Sequence, residues 1–281
     1  MLVIKLTFPM LLSRFNLPED YMTTLRRYTQ IIEAHQGVLD MKGTKINVKA
    51  ILFDLDGTIF DITERDAFAR YKALKQLGYS VSLDEVRKRY RYGIGRMGIV
   101  KELGIKFTEK DEREYIETSF AHFAKRKNAL KLTKIHNEAY NVLSILSKKY
   151  KLVLVTSRDT LSSTKEELKW FNIRKFFTLI ITREVAARYH EVKDIPLLPF
   201  QKQRKKLYEC AIGLTRIDSG DMLCIGDSVG ELEPAKKLGM KTIGVLTGFS
   251  SKEDMEKASI STIPNLTRLV RILDSSNNIL S

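Results

Sequence analysis

Five short stretches of the chain are apolar almost without interruption: residues 49–55 (KAILFDL), 151–156 (KLVLVT), 177–182 (FTLIIT), 221–226 (DMLCIG) and 241–246 (KTIGVL). Runs of this length with no polar alternation predict strands buried on both faces, the habit of parallel sheets. Between the later ones the period changes to that of a helix. Ala139, Val142, Leu143 and Leu146 follow an i, i+3, i+4, i+7 pattern, Leu161, Leu168 and Phe171 share a face, and so do Leu232, Ala235 and Leu238. Strands alternating with helices imply βαβ crossovers and an α/β fold built on a doubly wound parallel sheet.

One interval breaks the alternation. Residues 60–132 hold no strand pattern and read as helices over 61–77, 82–92, 96–103 and 109–127, with Ser82 and Thr108 as N-caps and Gly78 and Gly104 as stops. About seventy residues of helix inserted after the first strand predict a separate α-helical domain. The expected division is a core of 45–59 and 133–281, the insertion 60–132, and an extension 1–44. In that extension, Tyr21, Leu25, Tyr28, Ile31 and Ile32 suit one amphipathic helix after Asn16-Leu17-Pro18-Glu19-Asp20.

Polar residues with chemical potential fall where the predicted strands end. Asp54 and Asp56 close the first, Thr156, Ser157 and Arg158 the second, and Asp227 the fourth, within Gly226-Asp227-Ser228. In an open parallel sheet, ligands sit at the carboxyl ends of the strands. Each position taken alone has a plain alternative: Asp54, Thr156 or Asp227-Ser228 as a helix cap, Asp56-Gly57 as a turn. Carboxylates converging from distant parts of the chain call instead for a hard cation such as Mg²⁺. A carboxylate can also serve as a nucleophile, and an acid two residues along can protonate a leaving oxygen and then activate water.

These residues resemble the haloacid-dehalogenase-like superfamily. Asp54-Leu55-Asp56-Gly57-Thr58 is similar to its first motif, DxDGT. Thr156 after Leu152-Val153-Leu154-Val155 is similar to the second, and Gly226-Asp227-Ser228-Val229-Gly230-Glu231 to the fourth, with Glu231 in place of the usual second acid. The likeness covers about 49–275. It implies a Rossmann-like core with a helical cap at 60–132. Asp54 would be nucleophile and Mg²⁺ ligand, Asp56 the general acid/base and a ligand through its carbonyl, Asp227 the remaining ligand, and Glu231 a supporting acid. Thr156 and Ser157 would bind the phosphoryl group. Asp56 also favours phosphoryl transfer, because dehalogenases of this superfamily typically lack an acid there. The family's third motif, a lysine often within KPxP, has no direct match. Lys202, six residues before Tyr208 and 25 before Asp227, is the preferred candidate, and Lys193 the second. The stretch between Glu184 and Lys202 would then be an insertion, with DIPLLPF at the rim of the site.

Residues 93–98 spell GxGxxG, but no strand precedes them, so a dinucleotide site is not expected. They are more similar to the family's cap loop facing the site, where Arg96 would meet an anionic substrate with Arg91 or Arg158 as helpers.

Composition narrows the picture further. The 281 residues carry a formal charge of +14, spread along the chain, with the densest runs at 87–92 and 202–206 in predicted helices. A solvated basic face is preferred over a nucleic-acid surface. No apolar stretch is long enough to span a bilayer, and the apolar start MLVIKLTFPMLL lacks a basic leader and a small-residue cleavage site, so neither a membrane anchor nor a signal peptide is expected. Met41 would suit a natural start. The two cysteines form no CxxC pair and the four histidines no metal spacing, which fits free thiols in a reducing, cytoplasmic setting. The expected protein is a Mg²⁺-dependent phosphatase acting on a small phosphorylated metabolite, with a phosphoglycolate-like layout. A phosphosugar mutase, a nucleic-acid-end phosphatase and a non-catalytic interaction protein on the same scaffold are the alternatives.

Overall fold

The computed structural model describes residues 48–275, apart from 91–93 and 194. The helix expected near the N-terminus, Arg91 and the proposed start at Met41 lie outside the described residues. Six parallel strands form the main sheet: β1 (Ala50–Phe53), β4 (Lys151–Val155), β5 (Leu179–Ile181), β6 (Met222–Gly226), β7 (Lys241–Val245) and β8 (Ser261–Ile263), in the order β5-β4-β1-β6-β7-β8. All four residues of β1 are fully buried, and its partners β4 and β6 are buried over almost their whole length. The apolar runs therefore become strands because both faces are covered by helices, as expected for this class.

The strand order fixes where a site can form. From β1 the chain moves outward through β4 and β5 on one side, then returns to β6 and proceeds through β7 and β8 on the other. The connections diverge at the β1–β6 boundary, and at such a reversal the carboxyl ends of the two strands leave a crevice between them.

Residues 60–135 leave and rejoin the core through a two-stranded antiparallel link, β2 (Phe60–Asp61) with β3 (Lys134–Ile135). Between them run α1 (Thr63–Gln76), α2 (Leu83–Arg89), α3 (Gly95–Glu102), α4 (Glu109–Ala124) and α5 (Arg126–Leu132). Ser82 and Thr108 cap α2 and α4 in full capping boxes with Glu85 and Asp111. The helix expected over 109–127 breaks at Lys125, whose backbone turns extended, and a separate α5 follows. This block has a core of its own, in which Ala67, Leu74, Val86, Ile99 and Tyr115 are buried together. The remaining helices, α6 (Ala139–Leu146), α7 (Leu161–Trp170), α8 (Arg183–Tyr189), α9 (Phe200–Thr215), α10 (Val229–Lys237), α11 (Lys252–Lys257) and α12 (Thr267–Ser275), flank the main sheet. No described helix is long and apolar enough to cross a membrane.

Candidate active site

The diverging ends of β1 and β6 bring three acids together. One carboxylate oxygen each from Asp54, Asp227 and Glu231 lie within 4.8 Å of one another, and all three residues are buried. Asp54 follows β1 directly, Asp227 follows β6, and Glu231 sits in the first turn of α10, so the pairing of β1 with β6 sets the distance between the first two. Asp227 is fixed from the other side by the loop after β7: the Phe249 amide donates to its Oδ2 at 2.7 Å and the Ser250 amide to its carbonyl at 2.9 Å. Two glycines leave room for this carboxylate. A Cβ at Gly57 would lie 2.2 Å from Asp227 Oδ2, and one at Gly248 1.9 Å from it. Gly57 also has φ +89°, which the tight turn after Asp56 requires.

The electrostatics follow from this crowding. Burial pushes the Asp54 carboxyl well above the usual range, Glu231 adds to the rise, and Arg204 only partly opposes it. Asp227 is driven up in the same way, by burial and then by Glu231. Among the described residues, Glu231 Oε2 is buried without a hydrogen-bond partner. Clustered hard oxygens, carboxyls that resist ionisation side by side and an unmatched buried acceptor together fit a divalent cation with oxygen ligands.

Asp56 is placed differently. Its carboxylate turns away from the acid cluster and receives Arg158 Nε at 3.0 Å and Nη2 at 2.6 Å. Burial alone would raise this carboxyl, but Arg158, with help from Arg65, outweighs it and holds Asp56 below its ordinary value. Behind Arg158 lies Glu167 on α7, 2.6 Å from Arg158 Nη1, and Glu167 in turn meets Arg65 of α1 at 2.9 Å.

Thr156 is buried at the end of β4, with Ser157 half-buried beside it. Helix α7 starts only at Leu161, with Thr160 at its N-cap, so Thr156 is free of a capping role; Ser228 stands at the N-cap of α10 but makes no side-chain cap bond.

The cation beside Asp54 is Arg204. Its Nη1 donates to Asp54 Oδ1 at 3.1 Å, and the residue is completely buried. Lys202 and Lys193, the two expected candidates, are both exposed. The physical reason is helical phase. Arg204, Leu207, Tyr208 and Ala211 lie on the buried face of α9, whereas Lys202, two residues earlier, is turned about 200° away to solvent. Fidelity to that i, i+3, i+4, i+7 face was the signal in the sequence. Glu167 and Arg65 carried no comparable signal, since each looks like one more charge on a helix.

A cavity of about 1140 Å³ joins these groups. At one end stand Asp54, Asp56, Thr156, Ser157, Arg158, Asp227 and Glu231. At the other, the helical block contributes Asp66, Arg70, Tyr90, Arg96 and Phe120, while Phe200 and Phe249 also border it. The DIPLLPF segment thus reaches the rim through its last residue. Arg96 stacks on the Phe120 ring at 3.7 Å, donates to Ser119 Oγ at 3.1 Å and stands 3.6 Å from Asp66. Asp66 is held by Arg70 through Oδ2 at 2.6 Å, and its buried Oδ1 has no hydrogen-bond partner among the described residues.

Comparison with known proteins decides the family. The family model for haloacid dehalogenase-like hydrolases matches residues 51–245. The chain belongs to that family. A phosphoglycolate phosphatase of Aquifex aeolicus is 30% identical over 235 residues, covering 81% of this chain and 98% of the relative. A glyceraldehyde 3-phosphate phosphatase of Methanocaldococcus jannaschii is 25% identical over 80% of this chain and 97% of its own. Among solved structures, a haloacid dehalogenase-like hydrolase from Streptococcus pneumoniae superposes with a TM-score of 0.61 at 18% identity, covering 80% of this chain and 97% of that one. The expected superfamily and the parallel-sheet core are thus found. The hydrolase class expected from Asp54, Asp56 and Asp227 is the class of these relatives.

Proposed function

We propose that this hydrolase is a Mg²⁺-dependent phosphatase that cleaves a small phosphomonoester, phosphoglycolate-like or a sugar phosphate, through an aspartyl-phosphate. The observation that carries the reading is the meeting of Asp54, Asp227 and Glu231 at the cavity end that also holds Thr156 and Ser157. Relatives named as phosphatases of phosphoglycolate and of glyceraldehyde 3-phosphate support the substrate class.

In this reading Asp54, Asp227 and the Asp56 carbonyl hold Mg²⁺, with Glu231 beside them; the bound ion supplies the positive charge that lets a phosphate approach a carboxylate. The Asp54 carboxylate attacks phosphorus and the bond from phosphorus to the ester oxygen breaks; Asp56, which Arg158 favours in its ionised form in this structure, exchanges that contact for a proton as substrate binds and gives the proton to the departing alkoxide. Asp56, now ionised, takes a proton from water. The resulting hydroxide attacks the phosphorus of the aspartyl-phosphate and returns Asp54 and inorganic phosphate. Thr156 and Ser157 orient the phosphoryl oxygens. Arg158 keeps Asp56 in place and faces the same cavity. Arg204 holds Asp54 from the sheet side.

The helical block 60–132 acts as the cap that closes over the site and excludes water. Its Arg96 binds an anionic group of the leaving alcohol, with Phe120 as a platform, and Asp66 Oδ1, which Arg96 approaches only to 3.6 Å, accepts from a substrate hydroxyl. Two buried free cysteines suit a cytoplasmic location. The test is a panel of metabolite phosphates assayed for released phosphate with and without Mg²⁺. Turnover of small phosphomonoesters only with the ion is expected. No release from any member of the panel overturns the proposal.

A further inference from the structure

We infer that Tyr208 is a positioning residue for phosphoryl transfer: its phenol oxygen holds one arm of the Arg204 fork, and this fixes the other arm on Asp54. The inference rests on the phosphatase reading above. Arg204 and Tyr208 lie one turn apart on α9, and both are 0% exposed. Arg204 Nη2 donates to the Tyr208 oxygen at 2.6 Å. Arg204 Nη1 donates to Asp54 Oδ1 at 3.1 Å, to the Val155 carbonyl at 3.3 Å and to Ser157 Oγ at 3.4 Å.

A wholly buried guanidinium is costly unless its donors are matched. Nη1 has three acceptors at the carboxyl end of the sheet. Nη2 has Tyr208. Because the guanidinium is planar and rigid, fixing Nη2 sets the direction of Nη1 as well. The Tyr208 ring is itself fully buried, packed in the main core with Leu207, Cys210 and Ala211, and the Cys224 thiol donates to its oxygen at 3.4 Å. A chain of contacts thus runs from the centre of β6 through Cys224, Tyr208 and Arg204 to the proposed nucleophile.

Asp54 and Ser157 line the cavity, while Arg204 and Tyr208 are absent from its walls among the described residues. Their influence on a substrate therefore passes through Asp54 and, by a longer contact, Ser157. An ammonium at position 204 would be a single point charge and would not span Asp54 and the phenol together as a two-armed fork does. Arginine at 204 and tyrosine at 208 are in this sense a matched pair.

The experiment is a double-mutant cycle with p-nitrophenyl phosphate and Mg²⁺, using the full chain. Tyr208→Phe should lower kcat roughly tenfold to a hundredfold, the scale of a misplaced reacting group. KM should change less than kcat, because Arg204 meets the phosphate-binding Ser157 at 3.4 Å, a longer contact than its 3.1 Å one with Asp54. In an Arg204→Lys background, where no fork remains, Tyr208→Phe should add little. Wild-type-like kcat in Tyr208→Phe, or penalties that multiply in full, overturns the inference. A second cycle reads the same pair without turnover: thermal unfolding of metal-free Tyr208→Phe, Arg204→Met and the double variant. The Tyr208→Phe loss in melting temperature should shrink in the Arg204→Met background, and an equal loss in both backgrounds overturns the inference even if Tyr208→Phe is inactive through misfolding. Wild-type protein that releases no phosphate overturns the phosphatase reading, and this inference with it. Active wild type with unimpaired Tyr208→Phe overturns this inference alone.

Discussion

Arg65 of the helical block and Glu167 of the core form a buried ion pair, with Nη1 to Oε2 at 2.9 Å and exposures of only 2% and 7%. Arg65 is otherwise anchored within its own segment, to the Phe123 carbonyl at 2.8 Å and Thr133 Oγ1 at 3.3 Å, with its guanidinium over the Phe123 ring. Glu167 also receives Arg158, which grips Asp56. One carboxylate thus separates two guanidiniums and links the inserted helices to the acid beside the cavity. Its removal leaves two buried positive charges facing each other. Glu167→Ala should cost about 3–5 kcal/mol of stability, the range for a broken buried pair. Denaturant unfolding measures it, and a loss below about 1 kcal/mol would show that the pair behaves like a surface one. Arg126→Ala is the control, since its partner Glu166 is exposed and the pair lies at the surface.

Asp54→Asn tests the assignment of the nucleophile. The amide keeps the size of the side chain but is a poor nucleophile, so turnover of p-nitrophenyl phosphate should fall to background, and rapid acid quenching should trap no phosphoryl-enzyme. Chelation of metal by EDTA should abolish wild-type turnover, and added Mg²⁺ should restore it. Full activity in Asp54→Asn would remove this residue from the chemistry.

The raised carboxyls of Asp54 and Asp227 give a pH dependence with a definite sign. A carboxyl whose folded value lies above its unfolded value favours the folded state fully below the unfolded value. That contribution is lost as pH rises through the folded one. Burial and then Glu231 raise both groups here. The metal-free protein should therefore lose stability from the ordinary carboxylate range upward, until both acids have ionised. A cation competes with those protons, so the rise in melting temperature on adding Mg²⁺ should grow with pH over the same window. A Mg²⁺ shift that is flat with pH would contradict the proposed ligand set.

The lysine prediction and its outcome show what the chain displays and what it hides. The buried strands were legible because unbroken apolar runs need cover on both faces, and Ser82 and Thr108 were legible as caps because their partners Glu85 and Asp111 follow three residues on. The edge strand β8, only Ser261-Thr262-Ile263, and the two-residue strands β2 and β3 were not, since they are too short to carry a period and exist through their partners. Asp54 and Asp227 could be placed together from strand ends alone, because the strand order of a wound sheet brings such ends into one crevice. Arg204 does not stand at the interval to Asp227 that favoured Lys202, but it shares a buried helical face with Leu207, Tyr208 and Ala211. Lys202→Ala and Lys193→Ala should keep activity within about twofold of wild type, as for exposed substitutions that touch nothing in the site. Arg204→Ala should lose at least about a hundredfold in kcat, by removing a buried charge set on the nucleophile. Kinetics of the three variants decide between the positions.

Gly248 offers the sharpest test of how Asp227 is held. Its backbone does not require a positive φ, yet a Cβ there would sit 1.9 Å from Asp227 Oδ2 and 2.4 Å from its Cγ, contacts that no rotation of a methyl relieves. Either the loop after β7 or the carboxylate must move, and the Phe249 amide that donates to that same oxygen ties the two together. Displacing a ligand or its support typically lowers metal affinity about 10–100-fold. Gly248→Ala should therefore raise the Mg²⁺ concentration for half-maximal activity by at least about tenfold, with a smaller effect on kcat at saturating ion. Gly220→Ala, where an added Cβ meets nothing within 4 Å, should leave the Mg²⁺ titration unchanged. Equal titrations for Gly248→Ala and wild type would mean that Asp227 does not bind the ion from this position.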